Sequence, residues 1–302
     1  MEWLRAVTIC PDISVRLATS IDALRVERLY RAAYGDDCRD DIKSRSPAFR
    51  QLVSFRKTYV AVKKNDVCGV LSAFDWGQSL FINMFYVSPQ QIGKGVGQAL
   101  FHRFQSDHPQ KALFVVSTDN PSAIKNYINA GMTAEGVVFE LEAQVQSVNN
   151  SRFRFQYEVV DDMDTAIQID HRVVGFDRRE HFVYWREKLD ARVIVLRECG
   201  KPIGYSVWMP INDWTVFDKT SATLGPIGVL DQINLLPVFV STINRISENA
   251  TRLRFALLHD SPILPVALQL KFKIDYVEIM FRRGQCLLPC SSVYVPSGSF
   301  WF

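Results

Sequence analysis

The sequence predicts a mixed α/β or α+β protein made of two domains in tandem. Three observations carry this. The chain has 302 residues, about twice an average domain. Helix-like and strand-like stretches are interspersed rather than segregated. The order of those stretches in the first half comes again in the second.

In the first half, SVRLAT alternates as a strand. Ser20 is the expected cap of a helix, SIDALRVERLYRAAYG, with Gly35 as its stop. SPAFRQLVSFRK reads as a second helix. TYVAVKK and VCGVLSAF read as consecutive strands joined at Lys64-Asn65-Asp66, a turn-type triplet. SLFINMFYV is almost wholly apolar, as in a strand covered on both faces. GVGQALFHRFQ is a predicted helix, KALFVVST a strand, NPSAIKNYINAG a helix ended by Gly131, and GVVFELEA a strand. The polar stretch Gln144 to Arg154 reads as the linker.

The second half follows the same order. FQYEVV is a strand, DMDTAIQIDHRVVG and DRREHFVYWREKL are helices, and ARVIVLREC and PIGYSVWMPI are strands. SATLGPIGV is a strand running into the helix DQINLLPVFVSTINRI. RLRFALLHD, SPILPVALQLKF and DYVEIMFRRG complete it as strand, helix and strand. The expected domains are residues 1–145 and 155–302.

Composition excludes several classes. The formal net charge is only +3, and Lys and Arg are scattered, so there is no electrostatic footprint for nucleic acid. No apolar run approaches the ~18 residues that span a bilayer, and the start, MEWLRAVTIC, lacks the apolar core of a signal peptide. Neither nucleic acid nor membrane is an expected partner. The cysteines, Cys10, Cys38, Cys68, Cys199, Cys286 and Cys290, form no CxxC pair, and the histidines are dispersed, so no metal site is expected. Reduced, mostly buried thiols in a cytoplasmic protein are the expectation.

The stretch VSPQQIGKGVGQAL, Val87 to Leu100, carries Gly93, Gly95 and Gly97 on alternate positions between a strand and a helix. Glycines there let backbone N–H groups converge on an anion at a helix N-terminus. The spacing is neither a dinucleotide-binding fingerprint nor a Walker A loop, because Lys94 is followed by Gly95. Downstream comes N-P-S-A-x-x-x-Y-x-x-x-G-M, with Asn120, Ala123, Tyr127, Gly131 and Met132.

With these two segments in order, residues 10 to 143 resemble the GNAT acyltransferase superfamily. Val87, Pro89, Gly95, Gly97, Asn120, Ala123, Tyr127 and Gly131 fall in register with its motifs. Ile92 stands where the family has Arg or Gln, with Gln91 one residue earlier. The second half resembles the degenerate acetyltransferase-like domain of tandem GNAT proteins, through GFDR at Gly175, PIGY at Pro202, LGPI at Leu224 and MFRRG at Met280. The resemblance implies two central, mostly antiparallel sheets flanked by helices, and acetyl-CoA as acyl donor. It implies direct attack of an amine on the thioester.

The resemblance also assigns site residues. Backbone at Phe85, Tyr86 and Val87 orients the thioester. Ile92, Gly93, Lys94, Gly95, Val96 and Gly97 form the pyrophosphate cradle, and Asn120 contacts the CoA arm or simply caps its helix. Tyr127 is the expected general acid, with a packing aromatic as the alternative. The strand before the loop offers only Asn83 as a polar group, a candidate substrate contact. Asp75 and Asp119, nearby in sequence, are candidate bases or turn residues. Arg178 is a second candidate substrate contact, or a solvated charge at a helix start. The aromatic set Trp185, Trp208, Trp214 and Tyr205 reads as core. In the second half Val229, Leu230 and Asp231 replace the glycines, and Leu268 matches Tyr127, so one CoA per chain is expected. The acceptor is expected to be a small-molecule amine or amino acid, with a protein acceptor as an alternative. The rival function is an acyl-CoA-binding module without turnover, acting in interaction or regulation.

Overall fold

A computed structural model describes residues 12–34, 53, 57–148, 157–209, 220–285 and 288–297. The chain forms two compact units. The first comprises Met1–Val115, Asn120–Thr133 and Phe281–Cys286. The second comprises Val116–Asp119, Ala134–Met280 and Leu287–Phe302.

In the first unit the strand order is β1 (Ile13–Leu17), β2 (Thr58–Lys63), β3 (Asp66–Trp76), β4 (Ser79–Val87), β5 (Ala112–Ser117). Neighbours are antiparallel except β4 and β5, which are parallel. The β2–β3 hairpin turns at Lys64 and Asn65, both with positive φ (48° and 70°), which suits the twist of the flanking strands. Helix α1 (Ala23–Tyr34) packs on β3 and β4. Its start is set by Thr19, whose N–H donates to the Asp22 carboxylate at 2.8 Å, so the cap lies one residue before the expected Ser20. Asp22 is also held by Arg16 through two bonds of 2.7 and 2.9 Å. Helix α2 (Val96–Asp107) packs on β2, β3 and β4, and α3 (Pro121–Asn129) follows β5. β4 is buried along its first six residues, as its unbroken apolar run predicts.

In the second unit β7 (Glu158–Val160), β8 (Arg192–Glu198), β9 (Lys201–Met209) and β10 (Ser221–Val229) are antiparallel neighbours, and β10 is parallel to β11 (Arg252–Leu258). Helices α4 (Met163–Val174), α5 (Arg179–Lys188), α6 (Leu235–Ser247) and α7 (Leu264–Gln269) keep the order seen in the first half. Beyond β11 the order continues with β6 (Thr133–Gln144) and β12 (Lys273–Arg283). β6 pairs antiparallel with β11 from Val138↔Leu258 to Gln144↔Arg252. It contributes Leu141 to a core with Leu224, Phe239, Phe255 and Val295. A two-residue strand, β13 (Tyr294–Val295), pairs with β10; the sequence gives no pattern for it.

The units therefore cut across the division 1–145 and 155–302. Almost all of β6 lies in the second unit, and the end of β12 lies in the first. The reason is edge pairing: the backbone of β6 finds its ladder on β11, more than a hundred residues away.

Other expectations need correction. Among the described cysteines only Cys68 is buried, and Cys199 and Cys290 are exposed. Cys199 sits in the β8–β9 turn with φ 49°, where the tight reversal holds it at the surface. Cys10, Cys38, Cys286, Trp214, Gly35, most of SPAFRQLVSFRK and most of the expected linker lie outside the described residues.

Candidate functional site

The site is built on the C-terminal end of β4. Parallel pairing with β5 runs for four residues, Ser79↔Ala112 to Ile82↔Val115, and stops there. On the other side β3 stays paired to the end, at Leu71↔Phe85, Val70↔Tyr86 and Gly69↔Val87. Among the described residues, no strand pairs with the remaining edge of Phe85–Val87. That edge presents backbone N–H and C=O groups to an extended ligand.

Asn83 sits where the ladder ends. The register with β3 jumps from Ser72↔Met84 to Ala73↔Ile82, so Asn83 is the bulged residue. It is 7% exposed, and both amide atoms, Nδ2 and Oδ1, are buried without a protein partner. Buried polar groups are nearly always paired, so an unmet carboxamide at a strand divergence marks a place for a ligand or water.

Beyond the bulge, side chains alternate between faces. Tyr86 meets Tyr30 of α1 edge-on at 5.3 Å. Phe85 points to the opposite face, 5.8 Å from Phe101 on α2 and 5.9 Å from Tyr127 on α3.

The glycine loop follows a short turn, Pro89–Gln91. Gly93 and Gly95 have φ of 78° and 80°, a region costly to residues with a Cβ. Gly97 is needed for a different reason. A Cβ there would lie 3.2 Å from the Phe85 ring and 3.1 Å from Asn126, so its absence lets α2 settle against β4 and α3. Gly95 is the N-cap of α2 and has no side chain to fill the helix end. The first intrahelical bond runs from Ala99 N–H to Gly95 O at 2.9 Å. The N–H groups of Val96, Gly97 and Gln98 thus form the open turn of the helix, where the helix field favours an anion. Ile92 is exposed, and the Lys94 ammonium donates to Gln90 O at 2.7 Å on the surface.

Asn120 caps α3, accepting from Ser122 N–H at 2.9 Å and Ala123 N–H at 3.3 Å. Tyr127 is 3% exposed, its ring among Phe85, Phe101 and Phe281 at 5.5–6.1 Å. Phe85, Gly97, Asn126 and Tyr127 are thus gathered at one place. A cavity of about 700 Å³ in the same unit, lined by Gly77, Gln78, Lys111 and Arg283 among others, lies at the other end of β4, roughly 25 Å along the strand.

The candidate bases separate. Asp75 is paired with Lys111 (3.0 Å) and Lys57 (3.6 Å) at the far end of β3, away from the site. Asp119 is exposed. The sequence reading missed Glu27, which is 1% exposed on α1, the helix that covers the Tyr86 face of β4. Its signal was a carboxylate inside the apolar stripe Ala23, Val26, Tyr30.

Arg178 is not a solvated charge. It is 4% exposed, and Nε and Nη2 donate to the Asp170 carboxylate at 2.7 and 2.6 Å. Nη2 also donates to the Tyr294 hydroxyl at 2.8 Å. Trp185, Trp208 and Tyr205 are core, as expected. The residue equivalent to Tyr127 is Ala267, next to Leu268. Met132 N–H bonds Tyr127 O, and Phe272 N–H bonds Ala267 O, both at 3.0 Å. The hydroxyl is absent from the second half in either alignment.

Among the described residues no cluster of His, Cys, Asp or Glu could hold a metal ion, and no helix is long and apolar enough to cross a membrane. No curated protein matches the chain in sequence. Several solved structures share its fold. A Pyrococcus horikoshii protein assigned to the acetyltransferases superposes with a TM-score of 0.74 at 15% identity, covering 97% of this chain and 96% of the other. A GCN5-related N-acetyltransferase from Sphaerobacter thermophilus gives 0.64 at 11% identity, over 94% and 99%. A tandem GNAT protein from the clavulanic acid biosynthesis pathway gives 0.59 at 13% identity, over 90% and 98%. The model of the acetyltransferase (GNAT) family matches residues 23–132, the span that holds α1, the open end of β4, the glycine loop and Tyr127. Residues 23–132 thus match the acetyltransferase (GNAT) family, within a fold shared with a tandem GNAT protein.

Proposed function

We propose that the chain is an acetyl-CoA-dependent N-acetyltransferase acting on a small-molecule amine or amino acid, with the chemistry in the first half. One observation carries this reading: the edge of Phe85–Val87 that no described strand joins ends at a helix N-terminus opened by Gly93, Gly95 and Gly97. An acyl-CoA offers both complementary groups, amides along its arm and a pyrophosphate at its end.

When bound, acetyl-CoA supplies the thioester. Backbone of Phe85, Tyr86 and Val87 holds the arm and orients the carbonyl. The loop of residues 92–97 receives the pyrophosphate, chiefly through the N–H groups of Val96 and Gly97 in the open turn of α2, since those of Ile92 and Lys94 are bonded to Pro89 O and Gln91 O. Tyr127 gives its phenolic proton to the departing thiolate as the C–N bond forms and the C–S bond breaks. Asn83 engages the amine, and Glu27, on the α1 face, takes the proton that the amine must lose. An alkyl ammonium with pKa near ~10 is not a nucleophile.

Thiol release from acetyl-CoA over a panel of amines, amino acids and lysine peptides tests the reading. Turnover with an amine and its loss in Glu27→Gln and Tyr127→Phe support it. The second reading, acyl-CoA binding without turnover, draws on β4 itself offering no carboxylate or histidine. Tight acetyl-CoA binding with no thiol release for any acceptor would establish it.

A further inference from the structure

We propose that the C-terminal segment Val293–Ser297 is a resident ligand of the second half's own cleft. It fills, as an added strand, the counterpart of the wedge that no described strand fills in the first half, and closes the second half to acyl-CoA.

The two halves can be aligned by their ladders. β4 runs parallel to β5 for four residues and then diverges at the bulge. β10 runs parallel to β11 for four residues, Ser221↔Arg252 to Leu224↔Phe255, and also diverges. The register with β9 then shifts between Leu224 and Ile227, as that of β3 shifts at Asn83. Gly225–Val229 is therefore the counterpart of Asn83–Val87.

Each strand has two edges. β9 holds one edge of this stretch, through Ile227↔Ser206, Gly228↔Tyr205 and Val229↔Gly204. The other edge, on the β11 side, is taken by the chain itself. Ile227 pairs with Val295, Gly228 pairs with Tyr294, and Val229 N–H donates to Val293 O at 3.0 Å. Tyr294, Val295 and Ser297 are buried.

The surroundings are shaped for this occupant. A Cβ on Gly225 would collide with Pro296 O and lie 2.8 Å from Ser297 Cα. A Cβ on Gly228 would strike the ring of Tyr205. Arg178, fixed by Asp170, donates to the Tyr294 hydroxyl at 2.8 Å and lies 5.4 Å from its ring centroid. The residue singled out as a substrate contact thus grips a ligand that belongs to the same chain. The helix end has changed as well. Asp231 caps the turn Gln232–Asn234 before α6, accepting from Ile233 N–H at 3.1 Å, and no glycine stands between Gly228 and α6, where the first half has Gly93 and Gly95. The concavity left at the mouth, about 570 Å³, is lined by Asp231, Asp260 and Ser292 among others, and two carboxylates there repel a pyrophosphate.

The test uses the full chain with a specific protease site inserted between Gln285 and Pro289 and cleaved after folding. The fragment ending at Phe302 should stay with the body through gel filtration, with or without 1 mM acetyl-CoA. A labelled synthetic peptide of residues 288–302 should exchange into the cleaved chain and not into the intact one, and the same peptide with Tyr294→Ala should exchange at least tenfold less. Loss of the fragment in plain buffer, its release by acetyl-CoA, or equal uptake of the peptide by intact chain would each overturn the proposal. Equilibrium dialysis with radiolabelled acetyl-CoA should count the same number of sites before and after cleavage. An additional site on the cleaved chain also overturns it. Zero sites on both would instead sink the acetyltransferase reading and leave this one standing.

Discussion

At the scale of single residues, the proposed site of the first half includes a polar group that contributes nothing to folding stability. Asn83 is the clearest case, since a buried carboxamide without a partner costs stability. Asn83→Leu, similar in volume, should leave the melting temperature equal or higher while raising the KM for the acceptor. A fall of several degrees would show that the amide is satisfied in the free protein. Tyr127→Phe keeps the ring among Phe85, Phe101 and Phe281 and removes only the hydroxyl. It should lower kcat by ~10²–10⁴-fold with acetyl-CoA affinity nearly unchanged. Wild-type turnover would reduce Tyr127 to a packing residue.

At the scale of elements, the proposed site is a strand end joined to a helix start. α2 begins without a capping side chain, and its open turn is available to a phosphate. Gly95→Glu should abolish that, by placing a carboxylate at the helix end. Gly95→Ala is the control, because both variants bear the strain of a φ near 80° and only one adds charge. Calorimetry should show acetyl-CoA affinity at least about tenfold weaker in the Glu variant than in the Ala variant, a difference of ~1.4 kcal/mol. Equal affinities would remove the cradle assignment. In the second half β13 pairs with the corresponding strand end, and the turn capped by Asp231 carries no glycine.

At the scale of the whole molecule, the second unit is held by a buried polar knot. Arg178, Asp170, Tyr205 and Tyr294 bond one another with almost no exposure. Removing one partner leaves an uncompensated buried charge, so Arg178→Met should destabilise by ~3–5 kcal/mol in urea unfolding. Arg178→Lys should rescue little, since an ammonium cannot reproduce the planar double contact. Arg178→Met with Asp170→Asn should cost less than the sum of the two single changes. Next to the knot, burial and then the charge of Arg178 hold His181 down at about 3. The unfolded chain takes up that proton near the ordinary value of 6.5. Below pH 6.5 the unfolded state therefore binds more protons, and stability should fall steadily as pH drops toward 3. Thermal melts should show this acid slope in the wild type and a shallower one in His181→Phe.

Local pattern in the sequence determined the elements and the core of the candidate site. The apolar run of β4, Gly93 and Gly95 before α2 and Asn120 before α3 each act through neighbours a few residues away, so their spacing reports their geometry. Tertiary structure decided what depends on distant partners. A strand's periodicity does not say which edge it will join, and β6 pairs with β11 while the end of β12 falls in the first unit. A two-residue strand such as β13 has no periodicity to read, and only the unpaired edge of β10 makes it one. Arg178 looks like a surface charge in the run GFDRR. Its burial follows from acceptors 8, 27 and 116 residues away, whose convergence repays the cost of taking a guanidinium out of water.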